Sequence, residues 1–407
     1  MAVVALVPPV MPGRHLTLAA LSFSSGLRFS VRGLLGQSEW RHGPAKPPFP
    51  LVIPKVAETA QIVKKKVDLT SPAPLRRFIA CPELARTIVS RLGSGGGPDL
   101  RKTLVLECEP GPGILTQTLL NAGAHVIALE SSDSFVPNLE CIKKKLDGQL
   151  EVVHCDFFHL DPMFLGLIKP PLMYSEVLFE NLGILAVPWT ADVPLKVVGI
   201  VPQKKERNLL WKLIYALYER NSVFKYGRAE LNLFVSEKQY KTLIAKPGDS
   251  RIYQPLSVLS QIACDIQLLH MEPWSSFLTN SKNDKLYVPK SVLLPNDHLC
   301  LVQLTPRKNL FTDNLTISNS TIFIAMVKQC LVRTRTKLKD KLNLLCPESE
   351  KQLLSQLEIP KDITTGSLYP EQYKALFETI AQSNYFDQMQ LYEDDYLEDL
   401  RDIKRLK

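Results

Sequence analysis

The stretch 104–116 reads LVLECEPGPGILT, and it decides the fold. A β-rich apolar run leads into Glu107, a turn of glycine and proline follows, and the next residues have helical spacing. Gly111 and Gly113 lack a Cβ, so the backbone can turn tightly and approach a ligand, with a helix N-terminus facing it. A glycine-rich turn alone is weak evidence, because many α/β proteins contain one.

Short β-rich runs alternate with helical patterns around this turn. Strands are predicted at 103–107, 125–130, 150–154, 195–201 and 230–235, and helices at 114–121, 134–146 and 205–218. Two later apolar runs, 264–270 and 298–304, suit partly antiparallel strands, and 319–380 is helical in period. This order predicts an α/β fold with a doubly wound, mostly parallel, seven-stranded sheet and a smaller C-terminal helical domain.

Acidic residues stand at the ends of the next two predicted strands. Glu130 ends the second strand, where folds of this class place a carboxylate that accepts from both ribose hydroxyls. Asp156 follows the third strand and could accept from an adenine amino group. Either acid could instead be an ordinary polar strand end. Three signals at three successive strand ends favour a ligand that contains adenosine.

These segments, in this order, resemble the S-adenosylmethionine motifs of the ribosomal RNA adenine N6-dimethyltransferase family. The resemblance covers about residues 72–305 and rests on RRFI at 76–79, ECEPGPGILT at 107–116, Glu130, Asp156, AKPG at 245–248 and LSV at 256–258. It implies the methyltransferase sheet of that family.

The resemblance also implies a role for each cofactor-binding residue. Ile79 would pack at the cofactor, Glu107 and the turn through Gly111 and Gly113 would hold the methionine end, Glu130 the ribose and Asp156 the adenine. Glu109 stands where the family usually has glycine, and a carboxylate beside the methionine carboxylate should weaken binding. No metal is expected, because the eight cysteines are scattered without a C-x-x-C pair.

The catalytic motif of the family, Asn-Leu-Pro-Tyr, is degenerate in this chain. Adenine N6 is a poor nucleophile, so the motif fixes the amine through the Asn side chain and a backbone carbonyl while the Tyr stacks on the base. Here the aligned residues are Ile200, Val201, Pro202 and Gln203. Ile200 cannot accept a hydrogen bond and Gln203 offers an amide in place of a ring, so methyl transfer should be slow. Downstream, Trp274 and Phe277 could stack on a base or pack in the core.

The composition divides the chain into five predicted regions. The first acidic residue is Glu39, and arginines are spaced among small and apolar residues before it, which is typical of a mitochondrial transit peptide; a secretory signal or a disordered tail is the alternative. The regions are a transit peptide and linker at 1–45, an N-terminal extension at 46–71, a methyltransferase-like domain at 72–305, a helical domain at 306–385 and an acidic-aromatic tail at 386–407.

A basic segment near the end of a predicted helix contains the candidate nucleic-acid-binding residues Arg333 and Arg335. Phosphate contact and a solvated helix face both fit such a segment. The tail could be solvated, contact a polymerase or mimic nucleic acid. The net charge of +8 permits a polyanionic partner. No window reaches the roughly 18 uninterrupted apolar residues of a membrane span.

Within the family, the combination of a degenerate motif and a transit peptide resembles the mitochondrial transcription factor B branch. This resemblance implies a transcription initiation factor of the matrix nucleoid that joins the single-subunit mitochondrial RNA polymerase, melts promoter DNA and holds the start site. The rival function is an active S-adenosylmethionine-dependent N6-dimethyltransferase of adjacent adenosines in mitochondrial small-subunit rRNA. A third is an RNA-binding assembly factor without a promoter role.

Overall fold

The computed structural model describes residues 76–94, 100–146, 148–161, 173–280, 286–287 and 298–390. The predicted transit peptide 1–45, the extension 46–71 and most of the acidic tail, 391–407, lie outside the described residues.

The strands and helices of the described residues follow the predicted alternation. The strands are β1 Arg77–Ile79, β2 Leu104–Cys108, β3 His125–Glu130, β4 Leu150–His154, β5 Leu195–Ile200, β6 Glu230–Ser236, β7 Cys264–Pro273, β8 Phe277–Asn280, β9 Leu286–Tyr287 and β10 His298–Pro306. The helices are α1 Pro82–Ser94, α2 Ile114–Asn121, α3 Val136–Lys143, α4 Ser175–Asn181, α5 Glu206–Tyr218, α6 Glu237–Leu243, α7 Pro255–Ala263, α8 Ser320–Leu331, α9 Leu338–Leu345, α10 Glu350–Gln356 and α11 Pro370–Ala381.

The main sheet has seven strands in the order β4-β3-β2-β5-β6-β10-β7. The pairs from β4 through β6 are parallel, whereas β10 runs antiparallel to both β6 and β7. A separate antiparallel sheet, β1-β8-β9, contains the first described strand. The predicted doubly wound, mostly parallel seven-stranded sheet is confirmed, and so is the helical region that follows it.

Several element bounds agree with the sequence pattern to the residue. The helix at 114–121 and the strands at 125–130 and 150–154 are α2, β3 and β4. The helix predicted at 134–146 is shorter, because α3 begins at Val136 with Pro137 in its first turn, the place where a helix tolerates proline.

Apolar side chains cover both faces of the sheet. One face contributes Val105, Val126 and Val198 to a core under α1 and α2. The other contributes Leu106, Ile127 and Val197 to a larger core that continues into the C-terminal helices. This continuity holds the strand ends, and hence the site, in fixed positions. The domain boundary between 305 and 306 stays a prediction. Among the described residues, no helix has the length and apolar character needed to cross a membrane.

Candidate functional site

The acidic residues at the strand ends meet at one edge of the sheet. Glu107 lies in β2, Glu130 ends β3, and Asp156 follows β4 by two residues. Because these neighbouring strands are parallel, their carboxyl ends lie together, and this edge is where open α/β sheets bind ligands. The structure therefore brings the predicted acidic residues together.

Glu130 clamps the glycine turn. Its fully buried carboxylate accepts hydrogen bonds from the Gly111 amide, at 2.8 Å, and from the Ser132 amide, at 2.7 Å. Each carboxylate oxygen has a second lone pair, so Glu130 can still accept from a ligand hydroxyl. The turn is thereby fixed to the end of β3 before any ligand binds.

The glycine turn packs against Phe78. Gly111 has a φ of 60° and Gly113 a φ of 81°, in the left-handed region that favours glycine. A Cβ at Gly111 would overlap the Phe78 ring, which also packs on Phe135 with ring centroids 5.0 Å apart. Only glycine fits this contact.

The residue of β1 that faces the turn is Phe78, whereas the resemblance implies Ile79. Ile79 is buried with Leu84 and Ile88 in the core under α1. Successive side chains of a strand point to opposite faces, so Phe78 and Ile79 cannot both face the turn. Phe78 therefore packs against the turn, and the cofactor contact expected of Ile79 stays a prediction.

The guanidinium of Arg76 lies among three carboxylates of the site. Its Nη1 is 2.6 Å from Glu109 Oε2 and 3.7 Å from Glu130 Oε1, and its Nη2 is 3.6 Å from Asp156 Oδ2. Nη2 also donates to the Ser131 hydroxyl, which donates to Glu109 at 3.1 Å. This position of Arg76 among the acids was not predicted from the sequence, although Arg76 lies within the RRFI segment that carries the resemblance.

Burial and neighbouring charges shift the pKa values of these acids in different directions. Burial raises the pKa of Glu107 to about 8, and the nearby Glu130 adds to the rise while Thr116 opposes it. Burial, followed by repulsion from Asp156, also raises the pKa of Glu109 although Arg76 opposes it. For Asp156, burial is outweighed by the His159 hydrogen bond and by Arg76, so its pKa lies below the usual value.

The buried acids retain capacity for a ligand. Within the part of the chain that the structure describes, Oε2 of Glu107 and Oε1 of Glu109 accept no hydrogen bond although both atoms are buried. Buried carboxyl oxygens without hydrogen-bond partners are costly, and a ligand group with N–H donors would satisfy them. The methionine end of S-adenosylmethionine offers such a group in its ammonium, so these residues fit that cofactor.

The second half of the site contains the degenerate motif. Ile200 ends β5, Val201 is buried, and the carbonyl of Pro202 accepts from the Lys205 amide at 3.2 Å. Gln203 is exposed, and its side-chain oxygen accepts from Arg77 Nη2 at 2.9 Å. We call residues 200–203 with Arg77 and Trp274 the acceptor half, and the acids with the glycine turn the cofactor half.

Trp274 and Phe277 have different environments. The Arg77 guanidinium stacks on the Trp274 ring, which is half-buried. Phe277 is completely buried and packs edge-on against Phe234, with centroids 5.2 Å apart. Core packing is therefore the role of Phe277, whereas Trp274 faces the motif through Arg77.

Arg333 and Arg335 lie apart from both halves in the chain, in the turn between α8 and α9, and both are exposed. The turn is held by backbone hydrogen bonds from Gly366 to Thr334, at 2.7 Å, and from Thr365 to Thr336, at 2.9 Å. A rigid turn presents two exposed guanidinium groups at low entropic cost.

Comparison with known proteins shows which family the chain belongs to. The family model "Ribosomal RNA adenine dimethylase" matches residues 76–382. The chain is 47% identical over 327 residues to human "Dimethyladenosine transferase 2, mitochondrial", covering 80% of this chain and 82% of that protein. Identity to the mouse protein of the same name is 46% over 75% of this chain and 78% of that protein. "Ribosomal RNA small subunit methyltransferase A" of Lactobacillus helveticus is 31% identical over 66% of this chain and 79% of its own length. The chain belongs to the ribosomal RNA adenine dimethylase family.

Proposed function

We propose that this protein is a mitochondrial transcription initiation factor built on the rRNA adenine dimethyltransferase fold. It joins the single-subunit mitochondrial RNA polymerase, melts promoter DNA and holds the start-site strand. The observation that carries the proposal is the state of the acceptor half. Ile200 offers no acceptor, and the Gln203 amide oxygen is bound to Arg77, so the amine of a target adenine is poorly held.

Mitochondrial location, in the matrix nucleoid, is part of the proposal. The human and mouse relatives carry the word mitochondrial in their names, and the N-terminal composition is typical of a transit peptide. The resemblance to the transcription factor B branch supports the polymerase as partner.

In this proposal the cofactor half binds S-adenosylmethionine weakly. Glu107 and the turn through Gly111 and Gly113 hold the methionine end, Glu130 accepts from the ribose and Asp156 from the adenine amine. When bound, the cofactor supplies the methyl group. The chain's own contribution to transfer would be to orient the adenine amine, and residues 200–203 do this poorly.

The DNA-binding surface in this proposal contains Arg333 and Arg335. Both arginines are exposed and carry no ion pair among the described contacts, whereas the nearby Lys337 is paired with Asp362 at 2.7 Å. Unpaired guanidinium groups on a rigid turn suit phosphate contacts, which position a nucleic acid without reading its sequence.

Run-off transcription by the mitochondrial polymerase tests the proposal. On a closed duplex promoter we expect transcript only when this protein is added. On a template pre-melted around the start site, we expect much of the transcript without it. Equal yield with and without the protein on closed duplex would contradict the promoter role.

The DNA-binding surface is tested by the double substitution Arg333→Ala and Arg335→Ala. Promoter-complex formation should weaken about equally across sequences, and the slope of log K against log salt should flatten by about one unit per lost phosphate contact. The control is Arg86→Ala with Arg91→Ala, which removes two exposed positive charges from α1. An equal slope change in the control would contradict specific contact by the turn.

The alternative function is an active dimethyltransferase of adjacent adenosines in mitochondrial small-subunit rRNA. The retained carboxylates Glu107, Glu130 and Asp156 favour it, as does the family. Single-turnover methylation of an rRNA hairpin separates the two functions. A rate equal to that of a relative with the complete Asn-Leu-Pro-Tyr motif would favour the enzyme.

A further inference from the structure

We propose that Arg76 occupies the adenosine position of the cofactor half and thereby sets both the affinity of the site and its preference for charged ligands. This inference rests on the proposed cofactor role of Glu130 and Asp156. It is independent of the promoter role.

The position of the guanidinium carries the inference. Glu130 would accept from the ribose and Asp156 from the adenine, so a bound adenosine has to span the two carboxylates. One guanidinium spans them here, with its nitrogens 3.7 Å from Glu130 and 3.6 Å from Asp156. Separations of 3.7 Å and 3.6 Å leave no room for another atom between the guanidinium and either carboxylate, so ribose and adenine cannot enter until the Arg76 side chain leaves.

Glu109 keeps Arg76 in this position. Glu109 has a φ of 54° in the turn, and its amide donates to the Leu129 carbonyl at 2.7 Å. Its carboxylate pairs with Arg76 at 2.6 Å. The side chain of Glu109 is only 12% exposed, so solvent screens this pair less than a surface pair. Glu109, which stands where the family usually has glycine, thus affects cofactor affinity through Arg76.

Arg76 can move without breaking the core. Its side chain is 28% exposed, more than those of its three acidic neighbours, and Arg76 precedes the first residue of β1. Displacing it removes a positive charge from among three acids. The emptied site should therefore prefer a cationic ligand, and S-adenosylmethionine carries a sulfonium charge that S-adenosylhomocysteine lacks.

Isothermal titration of Arg76→Ala with both ligands tests this inference. We expect S-adenosylmethionine to bind at least about tenfold more tightly than to the unmodified protein, equivalent to about 1.4 kcal/mol. The gain for S-adenosylhomocysteine should be smaller. The control Arg86→Ala removes an exposed arginine from α1 and should change neither affinity.

The competing explanation of weak binding is repulsion between Glu109 and the methionine carboxylate. In that case Arg76 neutralises surplus negative charge, and Arg76→Ala should weaken binding. A double-mutant cycle with Glu109→Gln separates the two. If Arg76 blocks the site, Glu109→Gln strengthens binding only while Arg76 is present. An equal gain in both backgrounds, or weaker binding by Arg76→Ala, would overturn the inference.

A second variant and a second measurement keep the inference testable if Arg76→Ala fails to fold. Arg76→Lys keeps the charge but loses the two-pronged contact, so its affinity should lie between those of the unmodified protein and Arg76→Ala. The rise in melting temperature with saturating S-adenosylmethionine should follow the same order. An Arg76→Lys protein that binds less tightly than the unmodified protein would also overturn the inference. Run-off transcription by these variants reports on the promoter role separately.

Discussion

The two halves of the site differ in how each has departed from an rRNA dimethyltransferase. The cofactor half retains its carboxylates at the strand ends, and Arg76 lies among them. In the acceptor half, Ile200 stands where the family motif has Asn, and Arg77 binds Gln203, which stands at the Tyr position, and stacks on Trp274. Adjacent arginines reach both halves because neighbouring side chains at a strand point to opposite faces. Moving one side chain opens the cofactor half, whereas no movement supplies the acceptor half with the groups it lacks.

The largest expected effect is on the rate of methyl transfer, which should respond to changes in the acceptor half and not to Arg76→Ala. Arg76→Ala alone should improve cofactor binding but leave the single-turnover rate at saturating cofactor unchanged. Adding Ile200→Asn and Gln203→Tyr should raise that rate at least about 100-fold, because a polar contact made in the transition state is regained. Single-turnover methylation of an rRNA hairpin measures it.

Ile200→Val with Gln203→Leu is the matched control, because it changes the same positions without adding an acceptor or a ring. A comparable gain in this control, or a gain from Arg76→Ala alone at saturating cofactor, would mean that the acceptor half is not what limits transfer.

The next effect concerns the stability of the cofactor half. Gly111→Ala should lower the free energy of unfolding by about 3 kcal/mol, because a Cβ there meets both a left-handed backbone and the Phe78 ring. Urea unfolding measures the change. Gly148→Ala is the control, since Gly148 has a φ of 70° and nothing within 4 Å of an added Cβ. Equal losses at the two positions would show that Phe78 contributes no steric restriction.

A smaller effect is the pH dependence of the free energy of unfolding, which arises from Glu107 in the cofactor half. The pKa of Glu107 is raised to about 8 in the folded protein, against an ordinary value of 4.5. The folded state therefore holds a proton that the unfolded state has released between these values, so stability should fall as pH rises through this window. The slope is at most about 1.4 kcal/mol per pH unit.

Urea unfolding between pH 5 and pH 8 should show this slope in the unmodified protein and a shallower one in Glu107→Gln, with exposed Glu151→Gln as the control. The same slope in Glu107→Gln and in the unmodified protein would show that Glu107 does not hold the proton.

The sequence predicted the fold and the meeting of the acids because both follow from local pattern. The periodicity at 114–121 and 125–130 is read within one segment, and parallel strands necessarily end at the same edge. The contacts of Arg76 were not predicted, because the three carboxylates around it come from the ends of three different strands. Phe78 was missed because a three-residue strand gives no periodicity that shows which side chain faces the turn.

The proposed promoter function should be independent of both halves of the methyltransferase site. Run-off transcription on a closed promoter, with and without S-adenosylmethionine, tests this. Three correctly folded proteins are compared: Asp156→Ala, the double variant Ile200→Asn with Gln203→Tyr, and the double variant Arg333→Ala with Arg335→Ala. We predict unchanged yield for the first two proteins, reduced yield for the third, and no effect of the cofactor. Transcript yield that requires S-adenosylmethionine, or that is lost in Asp156→Ala while the arginine variant stays fully active, would contradict the account.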